Sequence, residues 1–324
     1  TFIHFFFKIN LLISFLIFFN GILIFLIKKN FFISQSLNKK LIYYCIIILL
    51  FIPIYLSQKY HEDFGYYHLP YAIGLIEEKI IFGFSNINLT YVYNSLWLNI
   101  YSIFFLQDKN FDFLTLPSFI LYVSFILFSF NQIITKKNLF SSDYYLLVTL
   151  FYFLLKFTRI SEFGVDLPAV IFSILGIYYF FKFSETELIN ERKYYFFLII
   201  IFSIFSILIK LSTLPIIFLS FYLYIKYFRD LKFSIFNFRY ILVYSLLTTF
   251  FIQQFIYTGC FFFPTNLTCL NVSWFNQDYL KLSQKLELIN KSYNLARDIY
   301  TPEEYLKNFN WIYFWFNRNF VEIL

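Results

Sequence analysis

The chain has 324 residues, 60% of them hydrophobic and 14% charged, with a net charge of +7. Soluble domains carry about 25% charged residues, so this chain has too few polar groups to clothe a water-facing surface. A soluble globular enzyme is excluded, no nucleic-acid partner is expected, and lipid must do part of the solvation.

The apolar residues come in runs, and runs near 20 residues cross a bilayer core of ~30 Å as helix. Only helices and closed barrels satisfy the backbone in hydrocarbon. Alternating polar and apolar strands are absent, so the expected fold class is all-α integral membrane, a multi-pass helical bundle of about eight spans. Phe (52) and Tyr (29) are abundant while Gly and Pro number 7 each. That bias follows from an AT-rich genome, and the aromatic richness is given no functional weight. Met is absent, and the expectation is a fragment of a longer chain. The first apolar segment is too long for a simple signal peptide.

In chain order, the expected spans are Ile3–Ile27, Leu41–Leu56, Phe113–Ile134, Tyr144–Phe157, Val165–Phe181, Tyr194–Ile209, Leu211–Phe228 and Tyr240–Tyr257. Basic residues accumulate in short cytoplasmic loops. Here they fall after the first span (Lys28, Lys29, Lys39, Lys40), the third (Lys136, Lys137), the fifth (Lys182, Arg192, Lys193) and the seventh (Arg229, Lys232, Arg239). All four loops share one side only if Asn86–Gln107 does not cross. That segment is therefore expected to lie in the interface, with Trp97 at headgroup depth. The resulting organisation is a transmembrane domain over residues 1–257 with an outer loop at 57–112. Residues 258–324 form a further non-cytoplasmic loop or the start of a C-terminal region. Cys45 sits in an apolar run and is expected to be a buried thiol. Cys260 and Cys269 face an oxidising compartment in this topology, where disulfides persist, and they are expected to pair.

The first outer loop opens with His61-Glu62-Asp63-Phe64-Gly65-Tyr66-Tyr67-His68-Leu69-Pro70. Ionisable groups held near lipid are functional candidates by default. The alternative is a solvated loop. Asp166 precedes Pro168 at the start of a span, where helix capping explains it equally well. Arg159 has an alternative as a partner of Glu162 or Asp166, and Lys210 an alternative in snorkelling to the interface. His61 and His68 could join Asp63 around a cation, but their spacing matches no established metal motif. No metal site is assigned, and the cofactor question stays open, with room for a divalent metal.

Several elements resemble a family of bacterial polytopic proteins related to the GT-C glycosyltransferases. They are Asp63-Phe64-Gly65-Tyr66-Tyr67-His68, then Gly83-Phe84-Ser85-Asn86-Ile87, Asn94-Ser95, Asp166-Leu167-Pro168, Gly259-Cys260-Phe261-Phe262-Phe263-Pro264 and Trp274. The resemblance implies outer-loop helices along the membrane and transfer of a sugar from a polyprenyl-phosphate donor at the outer face, in a bacterial inner (plasma) membrane. It implies an acidic catalytic group in the first outer loop: Asp63, with Glu62 as the fallback and Asp166 as a second acidic element. Tyr67, His68 and Asn86 are the matching substrate-binding candidates. Such a reaction needs cations against the departing phosphate, for which Arg159 and Lys210 are the candidates. Competing readings are a surface-polysaccharide polymerase or ligase, a transporter or flippase, and a structural membrane protein. Against a transporter, the spans are nearly free of the mid-membrane charges that line a translocation path.

Overall fold

The computed structural model describes residues 2–32, 37–59, 63–92, 94–105, 113–136, 138–231, 237–292, 301–314 and 316. The helices, in chain order, are α1 (Leu11–Phe32), α2 (Leu37–Leu56), α3 (Leu69–Glu77), α4 (Leu96–Phe104), α5 (Leu116–Ile134), α6 (Ser141–Leu155), α7 (Asp166–Glu185), α8 (Ile189–Ile209), α9 (Ile217–Lys226), α10 (Phe228–Leu231), α11 (Phe238–Thr258), α12 (Gln277–Lys291) and α13 (Pro302–Leu306). Among the described residues there is no β-strand, only two isolated bridges. The chain divides into two compact units. One comprises Thr1–Ile80 and Tyr93–Gln253, the other Ile81–Val92 and Gln254–Leu324. The division therefore falls inside the last turns of α11 and takes Ile81–Val92 with it.

Among the described residues, four helices are long and apolar enough to cross a membrane: α5, α7, α8 and α11. At 1.5 Å per residue, helices of about 20 residues reach ~30 Å. The remaining apolar helical stretches are shorter, at Leu11–Ile27, Tyr43–Leu56, Ser141–Leu155 and Leu211–Lys226. All eight expected segments contain helix, but by length and composition the described helices support four crossings. Large apolar side chains stand exposed on these helices, such as Val148, Phe151 and Leu155 on α6 and Phe218 and Phe221 on α9. That surface suits lipid and not water. The protein is an all-helical membrane protein.

The core of the first unit gathers Phe51 of α2, Tyr122 and Ile126 of α5, Leu146 and Leu150 of α6, and Ile171 and Tyr178 of α7. Tyr122 is fully buried, and its hydroxyl donates to the Phe153 carbonyl at 2.6 Å. A hydroxyl left unpaired at that depth would cost ~1–3 kcal/mol. The α7–α8 seam depends on small residues. Ala169, Ser173 and Gly176 recur along one face of α7. Ser206 of α8 donates to the Ala169 carbonyl at 2.9 Å, and its hydroxyl lies 2.7 Å from that of Ser173. A Cβ on Gly176 would meet Ile216 Cδ1 at 3.2 Å and Ser203 Oγ at 3.5 Å. Small residues let membrane helices approach closely, and hydroxyls then bond across the gap.

The ends of α5, α6 and α7 are tied by charge. Asp143 is fully buried in the first turn of α6. It bonds the Lys136 ammonium, lies 3.8 Å from that of Lys182, and accepts the Phe140 backbone N–H at 3.0 Å. Glu185 closes the group, accepting Ser142 N–H at 2.7 Å, Ser142 Oγ at 2.8 Å and Lys182 Nζ at 3.2 Å. Lys136 and Lys182 were expected to be basic loop residues; each is engaged with a carboxylate.

The expected interfacial helix at Asn86–Gln107 takes a different form. Short 3-10 turns occupy Phe84–Asn86 and Leu89–Val92, and only Leu96–Phe104 is α-helical. That helix, α4, is buried: Trp97 is 5% and Tyr101 0% exposed. Trp97 does not sit at a lipid-facing surface; its indole N–H donates to Ser118 Oγ on α5 at 3.2 Å. A nine-residue helix is ~14 Å long, less than a ~30 Å hydrocarbon core, and its burial does not fit the lipid-facing role expected for Trp97. Gln107 lies outside the described residues.

In the second unit, the chain leaves α11 through a loop whose Cys260 and Cys269 sulfurs stand 2.07 Å apart as a disulfide. Cys260, Phe263, Val92 and Leu280 make its small core. Gly83 N–H donates to the Ile256 carbonyl at 2.9 Å, Ser85 Oγ to that of Tyr257 at 2.7 Å, and Gln254 Nε2 to that of Val92 at 2.9 Å. Gly83 adopts φ 70°, and a Cβ there would meet Asn86 Nδ2 at 2.8 Å and Trp274 Cβ at 3.0 Å. Gly83→Ala is therefore expected to destabilise this unit by about 1–3 kcal/mol. The check is a lowered thermal midpoint followed by Trp fluorescence; an unchanged midpoint contradicts it.

Candidate functional site

The first-loop carboxylate is set at the entrance of an unusual helical turn. Asp63, half-buried, precedes a π-helical stretch at Phe64–His68 that continues into α3, with Pro70 in the first turn of that helix. The Leu69 N–H bonds back to the Phe64 carbonyl, five residues earlier. Wide π-turns inside helices recur at functional sites. Glu62, the fallback acid, and His61 lie outside the described residues.

Phe163 organises what faces this turn. Its ring stacks on Tyr101 of α4 at 4.0 Å, meets Phe64 edge-on at 4.9 Å, and lies 5.7 Å from the His68 ring. The Tyr101 hydroxyl donates to the Gly164 carbonyl at 3.0 Å and lies 2.6 Å from Ser118 Oγ. On the other flank, Lys59 N–H donates to the Ser161 carbonyl at 2.9 Å. The segment bearing Asp63 is thereby seated against the turn that runs from Arg159 to Asp166. His68 is buried, at 5% exposure, with the half-buried Tyr67 ring 4.2 Å away.

Asp166 opens α7 and is exposed; its carboxylate meets Lys210 Nζ, just past the end of α8, at 2.5 Å. Lys210 thus pairs with the acid that opens α7. Arg159, exposed, lies 4.0 Å from Glu162 across one turn. Asn86 belongs to the second unit. Its Nδ2 donates to the Trp274 carbonyl at 2.9 Å, which makes it a clasp of that unit's loops. Among the described residues, no three His, Cys, Asp or Glu side chains group to hold a metal ion.

Sequence reasoning missed three features. Phe163 and Tyr101 were unmarked, although the Phe163-Gly164 pair just before Asp166 was a readable sign of a tight turn. A buried polar chain runs through the first unit: Tyr71 donates to Asn94 Oδ1 at 2.9 Å, and Gln253 Oε1 accepts from Asn94 at 3.5 Å and from Asn99 at 3.4 Å. Ser95, beside Asn94, donates to the Ile209 carbonyl at 2.8 Å, one residue before Lys210. Lastly, His4 is buried and lies 3.1 Å from the Glu78 carbonyl.

A family model described as a domain of unknown function, DUF8201, matches residues 1–323. The chain belongs to the DUF8201 family. No curated protein and no solved structure matches it. For this DUF8201 chain the family supplies no activity, so the argument for function rests on the residues above.

Proposed function

We propose that this DUF8201 protein is a membrane glycosyltransferase of GT-C type that takes a sugar from a polyprenyl-phosphate donor at the outer face of a bacterial inner membrane. One observation carries the reading. The Phe163 ring cluster seats the π-turn bearing Asp63 against the turn that ends in the Asp166–Lys210 pair, so a carboxylate and a cation come from neighbouring elements. Gly65 and Gly164, one on each element, add support. A Cβ at either would touch nothing within 4 Å, so packing does not demand glycine there. Bare backbone also admits a ligand closely.

In this reading the shorter apolar helices also cross, giving about eight crossings with the basic loops inside. The donor enters sideways from the bilayer. Asp63 accepts the proton of the acceptor hydroxyl as that oxygen bonds to the anomeric carbon. The bond from that carbon to the phosphate oxygen breaks, and polyprenyl phosphate departs with the electron pair, its charge met by Lys210 and Arg159. Glu62 is the alternative base. Tyr67 and His68 line the approach of the sugar. A polysaccharide polymerase or ligase would use the same donor chemistry and differ in its acceptor.

The reading is tested by glycolipid analysis of cells carrying Asp63→Ala. The lipid-linked donor is expected to accumulate and a glycosylated product to disappear. A glycolipid profile identical to wild type overturns it.

A further inference from the structure

The helix α12 carries two apolar sides. One is used inside its own unit: Leu280 and Ser283 are each 1% exposed, and Leu280 joins the cluster with Cys260 and Phe263. The other side shows Leu282, Leu286 and Ile289, at 45%, 41% and 43% exposure. Steps of four and three residues put these on one helical stripe. Lys281 and Lys285, both exposed, run along one edge of that stripe.

What covers the stripe follows from where the helix is fixed. Just before α12, Trp274 packs on Phe255 with ring centroids 5.9 Å apart and donates its indole N–H to the Phe255 carbonyl at 3.3 Å. Gln284 Nε2, on α12 itself, donates to the Pro264 carbonyl at 2.9 Å. Phe255 lies in the last turns of α11, which is long and apolar enough to cross a membrane. The disulfide between Cys260 and Cys269 shortens the intervening loop. The segment just before α12 is therefore held against the last turn of α11.

We propose that α12 is an interfacial membrane helix. Leu282, Leu286 and Ile289 enter the boundary between headgroups and acyl chains, and Lys281 and Lys285 meet anionic lipid phosphates. An amphipathic helix with lysines beside its apolar face binds a bilayer surface in this way, and each lysine adds attraction to acidic lipid. The inference is independent of the sugar-transfer reading.

The test uses the full chain with Cys45→Ser, reconstituted into vesicles of phosphatidylethanolamine and phosphatidylglycerol. A nitroxide is attached at Leu286→Cys, with Gln277→Cys as the reference on another side of the helix. The label at 286 is expected to collide more with oxygen than with a water-soluble nickel complex, and the label at 277 to show the reverse. Equal nickel access at both positions overturns the proposal, as does a 286 label shielded from both reagents, which would mean a protein covers the stripe. When phosphatidylcholine replaces the phosphatidylglycerol, the 286 label is expected to move toward water. An unchanged depth overturns the assignment of the two lysines to anionic headgroups.

Discussion

Asp63→Asn is expected to lower sugar transfer by about 10²–10⁴-fold while leaving the protein folded and inserted. The change keeps the size and hydrogen-bonding capacity of the side chain and removes only its basicity. No side-chain capping bond from Asp63 holds the π-turn, and the Phe64–Phe163 contact is between rings. Loss of fold would show as loss of membrane insertion or a lowered thermal midpoint, neither of which is expected. Lys210→Gln should act differently. It removes a cation from the proposed phosphate position and frees Asp166, so donor saturation should weaken more than the maximal rate. A reconstituted assay that varies donor concentration separates the two. Full activity in Asp63→Asn moves the base to Glu62 or Asp166.

The second large effect concerns stability. Asp143→Ala is expected to cost about 3–5 kcal/mol, the usual penalty for removing one partner of a buried ion pair. Asp143 has no exposed surface, and its lysine partners are only 24% and 15% exposed at the side chain, so solvent screens the group weakly. Removing the carboxylate leaves two ammonium groups sharing Glu185 alone, and it strips the Phe140 N–H of its acceptor. Three helix ends would lose their common anchor. The thermal midpoint in detergent should fall by several degrees, and adding Lys136→Ala to the same chain should recover part of the loss. Should the single variant melt within a degree of wild type, the four charges behave as an ordinary surface network worth under about 1 kcal/mol.

Much of the fold was legible without coordinates because hydrocarbon imposes one strong rule. A chain with this few charges and runs this long must bond its backbone within helices, so helix identity and approximate position followed from composition and run length. The eight apolar segments each contain helix for that reason. Their lengths were not legible: Pro215 and the turns around it shorten α9 to Ile217–Lys226 after a 3-10 start, a local effect that hydropathy averages away.

The sequence by itself determined the class of protein, the membrane environment, and which loop carries a concentrated set of ionisable residues. It also marked Cys260 and Cys269 as a pair within reach. Only tertiary structure decided that Trp97 faces Ser118 and not lipid, that Asn86 holds Trp274, that Lys210 is paired with Asp166, and that Lys136 and Lys182 serve Asp143 and Glu185. Each of these is a contact between residues at least 7 positions apart, or an i,i+3 contact whose partner is chosen by another helix. Hydropathy and charge counts treat every residue as if it faced the solvent nearest in sequence. A polar side chain in a helical bundle instead takes whichever partner packing brings within 3 Å or so, because an unmade bond in an apolar interior costs more than any local preference.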